Sequence, residues 1–397
     1  MNSAVWVYPF DLLDEGVDAA LSDIARLGVD GISLAATYHA GRLLLPHNPR
    51  RTVYFLEDGV AYFHTDALRY AGLALKPKVA DLAAEQDPFA IARESAARHD
   101  LQIGAWTVCL HNSRLGRTHT DCTMRNAFGE AYTYALCPSH PDVRAYVLAL
   151  CEDVAATCRP SVLELEAFGF MSYEHNSHHD KLTFPLDAAR VFLLSACFCP
   201  HCTARMRDAG FDPDRLSATV RSELKTYFET GGPPRVKTRA EIDDYLGESL
   251  GEAPLKGLLA VREDVMGSLI ADLRGRLPAS LPIYWQCAPS PYTGGAAAGL
   301  SLAVARSSVD AIIVNLFLHD EDAMRSELRD ARQSAGGGTP LIANVRAHGP
   351  DSADEAAFLR KIRILEEEGI QGIRFYHYGL VPSSHLGWIG RAMEVLA

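Results

Sequence analysis

Eight short apolar runs, separated by stretches of helical periodicity, constrain this chain more than any other feature. They lie at residues 5–9, 31–35, 102–107, 162–166, 282–285, 311–315, 341–345 and 372–376, and are rich in Val, Ile and Leu. They lack the polar alternation of a half-exposed strand, as strands covered on both faces do. Helical patterns at 16–27, 88–99, 142–157, 258–277 and 353–368 stand between them, and a last one at 385–396 would close the ring. Strand-then-helix units in this order predict an α/β protein, a (β/α)8 TIM barrel. A doubly wound sheet is the alternative, but no G-x-G-x-x-G follows the first run. The whole chain, 1–397, is expected to be one barrel with long insertions after strands two, three and four, at 37–87, 108–141 and 167–256. The third insertion is nearly a subdomain and carries a cluster of cysteines. In such a barrel the loops after the strand C-termini hold the site.

The charge balance narrows the partners. The chain has a formal charge of -12 and no basic block, which argues against nucleic acid or an anionic membrane surface. The N-terminus shows no basic stretch leading into a long apolar one, and no run has membrane-spanning length. A cytoplasmic protein is expected, with a small carbohydrate as partner; a homo-oligomer is compatible with the sequence. Nine cysteines, an odd number, fit thiols or metal better than a disulfide framework.

The fourth run, VLELE, carries the chemistry. Side chains alternate along a strand, so Glu164 and Glu166 share a face with Val162, and Leu163 and Leu165 share the other. With the leucines against the helices, both glutamates face the barrel axis, Glu166 at the mouth and Glu164 one layer deeper. A buried carboxylate is costly unless paired, and such groups are often functional, with pKa values raised toward the working pH. The bland alternative for each is a structural ion pair with an inward Arg or Lys. Their Cβ atoms should stand about 6.6 Å apart, from two residues of rise.

Cys197, Cys199 and Cys202 form C-x-C-x-x-C in the insertion after strand four. That spacing brings three thiolates to one ion, and structural zinc takes four ligands. Cys137, just before the third helix, is the expected fourth; His201 would strain to join. Cys109, Cys122, Cys151, Cys158 and Cys287 read as packing thiols. Cys137-Pro138 followed by C-x-C-x-x-C after strand four resembles the zinc site of bacterial β-galactosidases of glycoside hydrolase family 42. The resemblance extends into the helix after the cysteines. It implies a retaining-clan barrel whose strand-four Glu is the general acid/base. Glu166, followed by Ala167, Phe168 and Gly169, takes that place. Two departures stand beside it. The Asn that precedes the acid/base in that family is Leu165 here. Strand seven, which supplies that clan's nucleophile, ends in Arg346 and His348 with no carboxylate. The chain also resembles a group of glycoside-hydrolase-like barrel proteins carrying Y-H-A-G-R after strand two and C-F-C-x-x-C after strand four, a likeness that spans most of its length.

Other residues at the strand ends are candidates for sugar binding: His39 and Arg42 after strand two, His111 and Asn112 after strand three, Gln286 after strand five, Asn315 at the end of strand six, Arg346 and His348 after strand seven, and Tyr376, His377 and Tyr378 at strand eight. Asp11, Asp320 and Asp351 are acids near strand ends, with Asp11 in the substrate set. Trp106 and Trp285 sit within strands, where a core role competes with stacking on a sugar. The run 174–180 (EHNSHHD) reads as a polar loop before it reads as a second metal site. The reading that follows is a carbohydrate-active enzyme, a glycosidase with Glu166 as general acid/base, Glu164 as its candidate second carboxylate and structural zinc on Cys137, Cys197, Cys199 and Cys202. An isomerase, epimerase or lyase acting on a free sugar is the alternative, favoured by the missing strand-seven acid. A non-catalytic sugar-binding barrel is the third.

Overall fold

The computed structural model describes residues 2–175, 185–231, 236, 238–288, 290–292, 308–336 and 338–397. Eight parallel strands close on themselves: β1 (Asn2–Val7), β2 (Gly31–Tyr38), β3 (Gln102–Val108), β4 (Val162–Glu166), β5 (Ile283–Gln286), β6 (Ala311–Asn315), β7 (Leu341–Val345) and β8 (Gly372–Phe375). Each pairs with its sequence neighbours, and β1 pairs with both β8 and β2, so no edge is left open. The expected (β/α)8 barrel is present. β4, β6 and β7 fall on their expected residues. β1 does not: it ends at Val7, because Pro9 begins the helix Pro9–Glu15. Proline suits a first helical turn, whose N–H would be unpaired anyway.

The register fixes which side chains point inward. Ala4, Trp6, Ser33, Gly104, Trp106, Val162, Glu164, Tyr284 and Arg374 lie on one connected set of neighbouring positions. Leu163 and Leu165 face outward, as the alternation requires. β2 breaks its own alternation. Ala35 stands beside Trp106, but Thr37 stands beside Thr107, so one residue is skipped. This bulge turns Thr37 outward and Tyr38 inward.

Two apolar cores result. The main one fills the barrel and its helix ring. A second lies within the insertion after β4, where the helices Ala188–Ser195, Pro213–Thr230 and Arg239–Leu250 pack Leu193, Val220, Leu224 and Leu246 together. Arg190 is buried there, paired with Asp187 at 2.5 Å and held between the rings of Tyr227 and Tyr245. The helix Glu252–Arg276 joins the two cores. Its first half gives Leu255, Leu258 and Val261 to the second core, and its second half gives Val265, Leu269 and Leu273 to the barrel. The insertion boundary expected at residue 256 therefore falls inside one unbroken helix. Among the described residues, no helix is long and apolar enough to cross a membrane.

Candidate active site and cysteine cluster

Glu166 is the last residue of β4 and lies at the C-terminal end of the barrel, beside Val108 of β3. Only 8% of it is exposed. Burial raises its carboxyl from the ordinary 4.5 to about 7. The indole N–H of Trp106 donates to Oε2 and pulls the other way, with less effect. No other carboxylate among the described residues acts on it. The next residue, Ala167, has φ 49, a conformation a side chain rarely takes. Backbone bonds from Cys109 N to the Glu166 carbonyl and from Leu110 N to the Ala167 carbonyl hold it there, at 2.9 and 3.1 Å. Strain of this kind persists where surrounding structure enforces it, and it gathers at functional sites.

Aromatic rings wall this carboxyl. Trp106 lies 4.3 Å from Trp6, 5.3 Å from Tyr8 and 5.0 Å from Tyr38, between ring centroids. Tyr376 joins from β8, 6.1 Å from Trp106. Burial pushes the phenols of Tyr8, Tyr38 and Tyr376 up, and Glu166 adds to this at Tyr38 and Tyr376, so all three stay protonated. His39 stacks on Tyr38 at 4.3 Å and on His111 at 3.9 Å, which brings two loops to the same wall. Tyr376 also contacts Phe317, over which the Arg346 guanidinium lies at 4.3 Å. Glu166, Trp106, Tyr38, Tyr376, His39, His111 and Arg346 thus form one connected group. Gln286 is buried on the same face of β5 as Tyr284, and its Oε1 has no hydrogen-bond partner among the described residues. That is an acceptor prepared to receive a donor.

Other expected residues are committed elsewhere. Glu164, expected as a second catalytic carboxylate, is 1% exposed and bound to Arg374 Nε at 2.6 Å. It is a structural ion pair across the barrel, not a partner for Glu166. Asp11 does not reach the mouth: it is fully buried, and its Oδ2 accepts the Tyr8 N–H at 3.0 Å. Gly379 packs on it so closely that a Cβ there would meet Oδ1 at 2.2 Å. Asn315 accepts from Asn344 at 2.8 Å. Asn112 and Asp320 cap the helices that follow them. Asp351 is taken up by Arg346, which leaves that guanidinium neutralised. Arg42 is exposed on a two-stranded ribbon opposite Phe55, and His348 turns back on the Gly349 carbonyl at 2.5 Å. Trp285 points outward, donating to the Phe168 carbonyl at 3.1 Å. His377 is buried against Tyr8, and Tyr378 donates to Glu15 at 2.7 Å. Of the run 174–180, residues 176–180 lie outside the described residues. The sequence reading missed Trp6, Tyr8 and Phe317 as wall residues and Arg374 as the partner of Glu164. The signal for Arg374 was its place on an inward position of the eighth strand.

Cys137, Cys197, Cys199 and Cys202 meet in a buried cluster. Cys137 Sγ lies 3.9, 3.5 and 3.6 Å from the other three in that order. These are non-bonded separations, so no disulfide joins them. The Arg125 N–H donates to Cys197 Sγ at 3.4 Å, and Ser139 Oγ lies 3.2 Å from Cys202 Sγ. Four soft donors so placed can hold a metal ion. Cys122, expected as a packing thiol, stands 3.9 Å from both ring nitrogens of His140. Among the remaining thiols, Cys109, Cys158 and Cys287 are buried with their pKa values pushed up, so they stay protonated.

No protein-family model and no curated protein matches the chain. Solved structures do. The chain is similar to the PgaB (BpsB) glycoside hydrolase domain from Bordetella bronchiseptica, with 15% identity and a TM-score of 0.58, over 100% of this chain and 98% of that one. It is similar to a beta-galactosidase from the haloarchaeon Halorubrum lacusprofundi, with 11% identity and a TM-score of 0.58, over 99% of this chain. It is also similar to alpha-L-fucosidase isoenzyme 2 from Paenibacillus thiaminolyticus, with 10% identity and a TM-score of 0.57, over 100% of this chain. It spans 58% of the galactosidase and 49% of the fucosidase. At these identities the likeness is one of fold.

Proposed function

We propose that this protein cleaves a glycosidic bond, with Glu166 as the acid that protonates the departing oxygen. The observation that carries the reading is a carboxyl titrating near 7 at the mouth of the barrel, walled by aromatic rings. A glycosidic oxygen leaves poorly as an alkoxide, so a proton donor whose pKa lies near the working pH is what the bond requires. The half-buried rings of Tyr376 and Phe317 offer apolar faces for a sugar, with Trp6, Tyr8 and Trp106 buried behind them, and Gln286 Oε1 and the imidazoles of His39 and His111 offer partners for hydroxyls. That solved glycoside hydrolases share the fold supports the same class. A second reading, proton abstraction from a free sugar by Glu166, is favoured by the lack of any second carboxylate acting on it among the described residues. Retaining and inverting glycosidases ordinarily use two.

The cysteine cluster fits a structural zinc held by Cys137, Cys197, Cys199 and Cys202. A tetrahedron with Zn–S bonds of about 2.3 Å has S···S edges of about 3.8 Å. The separations from Cys137, 3.5 to 3.9 Å, bracket that length. Such an ion would tie the loop before the helix Pro141–Asp153 to the insertion that follows Glu166. The chain's own contacts run the same way: Met171 N meets Met124 Sδ at 3.3 Å, and the Phe198 N–H donates to the Arg125 carbonyl at 2.7 Å.

The test is product formation followed by NMR, with aryl glycosides, oligosaccharides and free sugars offered to the wild type and to Glu166→Gln. The expected result is release of a sugar that falls by about two to four orders of magnitude in the variant. Changes confined to free sugars would transfer the assignment to the second reading. Turnover undiminished in Glu166→Gln would overturn both.

A further inference from the structure

The helix Glu252–Arg276 carries a cation that the proposed reaction does not use. Arg262 is 6% exposed, and its Nε and Nη1 are buried with no hydrogen-bond partner among the described residues. Its guanidinium lies against the rings of Phe170 and Phe192, at 5.0 and 5.6 Å. The ionisable groups that act on it are the thiols of Cys197, Cys202 and Cys137; no carboxylate among the described residues does so. Its placement follows from packing. The helix closes on Phe211 at Gly257, where a Cβ would meet the ring at 2.0 Å, and Phe211 follows the helix Pro200–Asp208 that begins at the cysteines.

A guanidinium cannot shed its charge in a protein, and one buried without a counter-charge is strongly destabilising. Four neutral thiols would provide none. Four thiolates around one divalent ion would: the ion replaces four thiol protons, which leave to solvent, and two negative charges remain on the centre. We infer that Arg262 is the counter-cation of a dianionic four-thiolate metal centre, set beside it to hold the metal-bound charge state. The inference rests on the metal reading of the cysteine cluster. It gives Arg262 a positioning role outside the ligand shell, together with the Arg125 N–H on Cys197 and the Ser139 hydroxyl beside Cys202. Through Phe170, four residues beyond Glu166, the same side chain also underlies the loop at the barrel mouth.

Zinc content and zinc affinity, by competition with a chromophoric chelator, should be measured on the full chain for the wild type, Arg262→Met and Arg262→Lys. Cobalt absorption provides a spectroscopic check of four-thiolate geometry. Methionine keeps the apolar bulk and removes the charge; lysine keeps the charge. The expected result is one zinc per wild-type chain, about 10- to 100-fold weaker binding in the Met variant, and affinity close to wild type in the Lys variant. Equal affinity in wild type and Arg262→Met would overturn the inference. So would equal losses in the Met and Lys variants, because charge would then not be the cause. A wild type that binds neither zinc nor cobalt would instead remove the metal reading on which it rests.

Discussion

At Glu166 two forces meet. Burial favours the neutral acid, and the Trp106 N–H favours the carboxylate; burial prevails, and the group titrates at about 7. Trp106→Phe removes the donor and keeps the bulk. Glu166 should then titrate higher, and the fall in activity on the alkaline side, where the acid has lost its proton, should move up in pH. A pH–rate profile of kcat/KM for the two proteins measures this, and an unmoved alkaline limb would contradict it. The place of Glu166 was legible because alternation along one strand is a local rule. Glu164 obeys the same rule, yet its role could not be read locally. Its partner Arg374 is 210 residues away, and only barrel closure brings them together. Tyr38 was hidden for another reason: the bulge in β2 reverses the parity that a regular strand would give it.

Between elements, the Glu164–Arg374 pair links β4 to β8 through the barrel interior. Removing the Glu164 carboxylate takes from the buried Arg374 guanidinium the opposite charge it meets at 2.6 Å. Glu164→Ala should therefore destabilise the protein by about 3–5 kcal/mol in chemical denaturation. A loss under 1 kcal/mol would mean that water or another group takes over the pairing. The cysteine cluster makes the matching link outside the barrel. Cys199→Ser should lower bound metal and the melting temperature together, and chelation of the wild type should give the same shift in melting temperature. The elements themselves were legible where a run rich in β-branched and aliphatic residues is bounded by turn residues, as at β4, β6 and β7. They were less so where a proline opens a helix at the end of a strand, as at Pro9. The helix Glu252–Arg276 crosses the expected boundary of the insertion because one continuous apolar stripe, from Leu255 through Leu258, Val261, Val265 and Leu269 to Leu273, runs from the second core into the barrel core.

For the whole molecule, a buried acid with a raised pKa makes stability depend on pH. Between the unfolded value near 4.5 and the folded value near 7, the folded state holds the proton that the unfolded state has lost. Stability contributed by Glu166 therefore falls as pH rises through that window and stays low above it. The shift corresponds to about 3 kcal/mol. Asp11, Asp153 and Glu15 are also raised by burial and act in the same direction, so the contribution of Glu166 is read as a difference. Glu166→Gln should gain on the wild type between pH 5 and pH 8, and a constant difference between the two would contradict a raised pKa. The barrel as a whole was legible because eight separate runs agree on it. The wall around Glu166 was not, since it is assembled from the ends of β1, β2, β3 and β8, which no local pattern relates.

The measurement that bears most directly on the account needs no substrate. It is a carbon-13 NMR titration of labelled glutamate carboxyls, in which the resonance missing from Glu166→Gln identifies the group. This carboxyl should titrate near pH 7, still half protonated where ordinary surface glutamates are ionised. A midpoint near 4.5 would show a carboxylate without the proton that the proposed chemistry must deliver, and would contradict it.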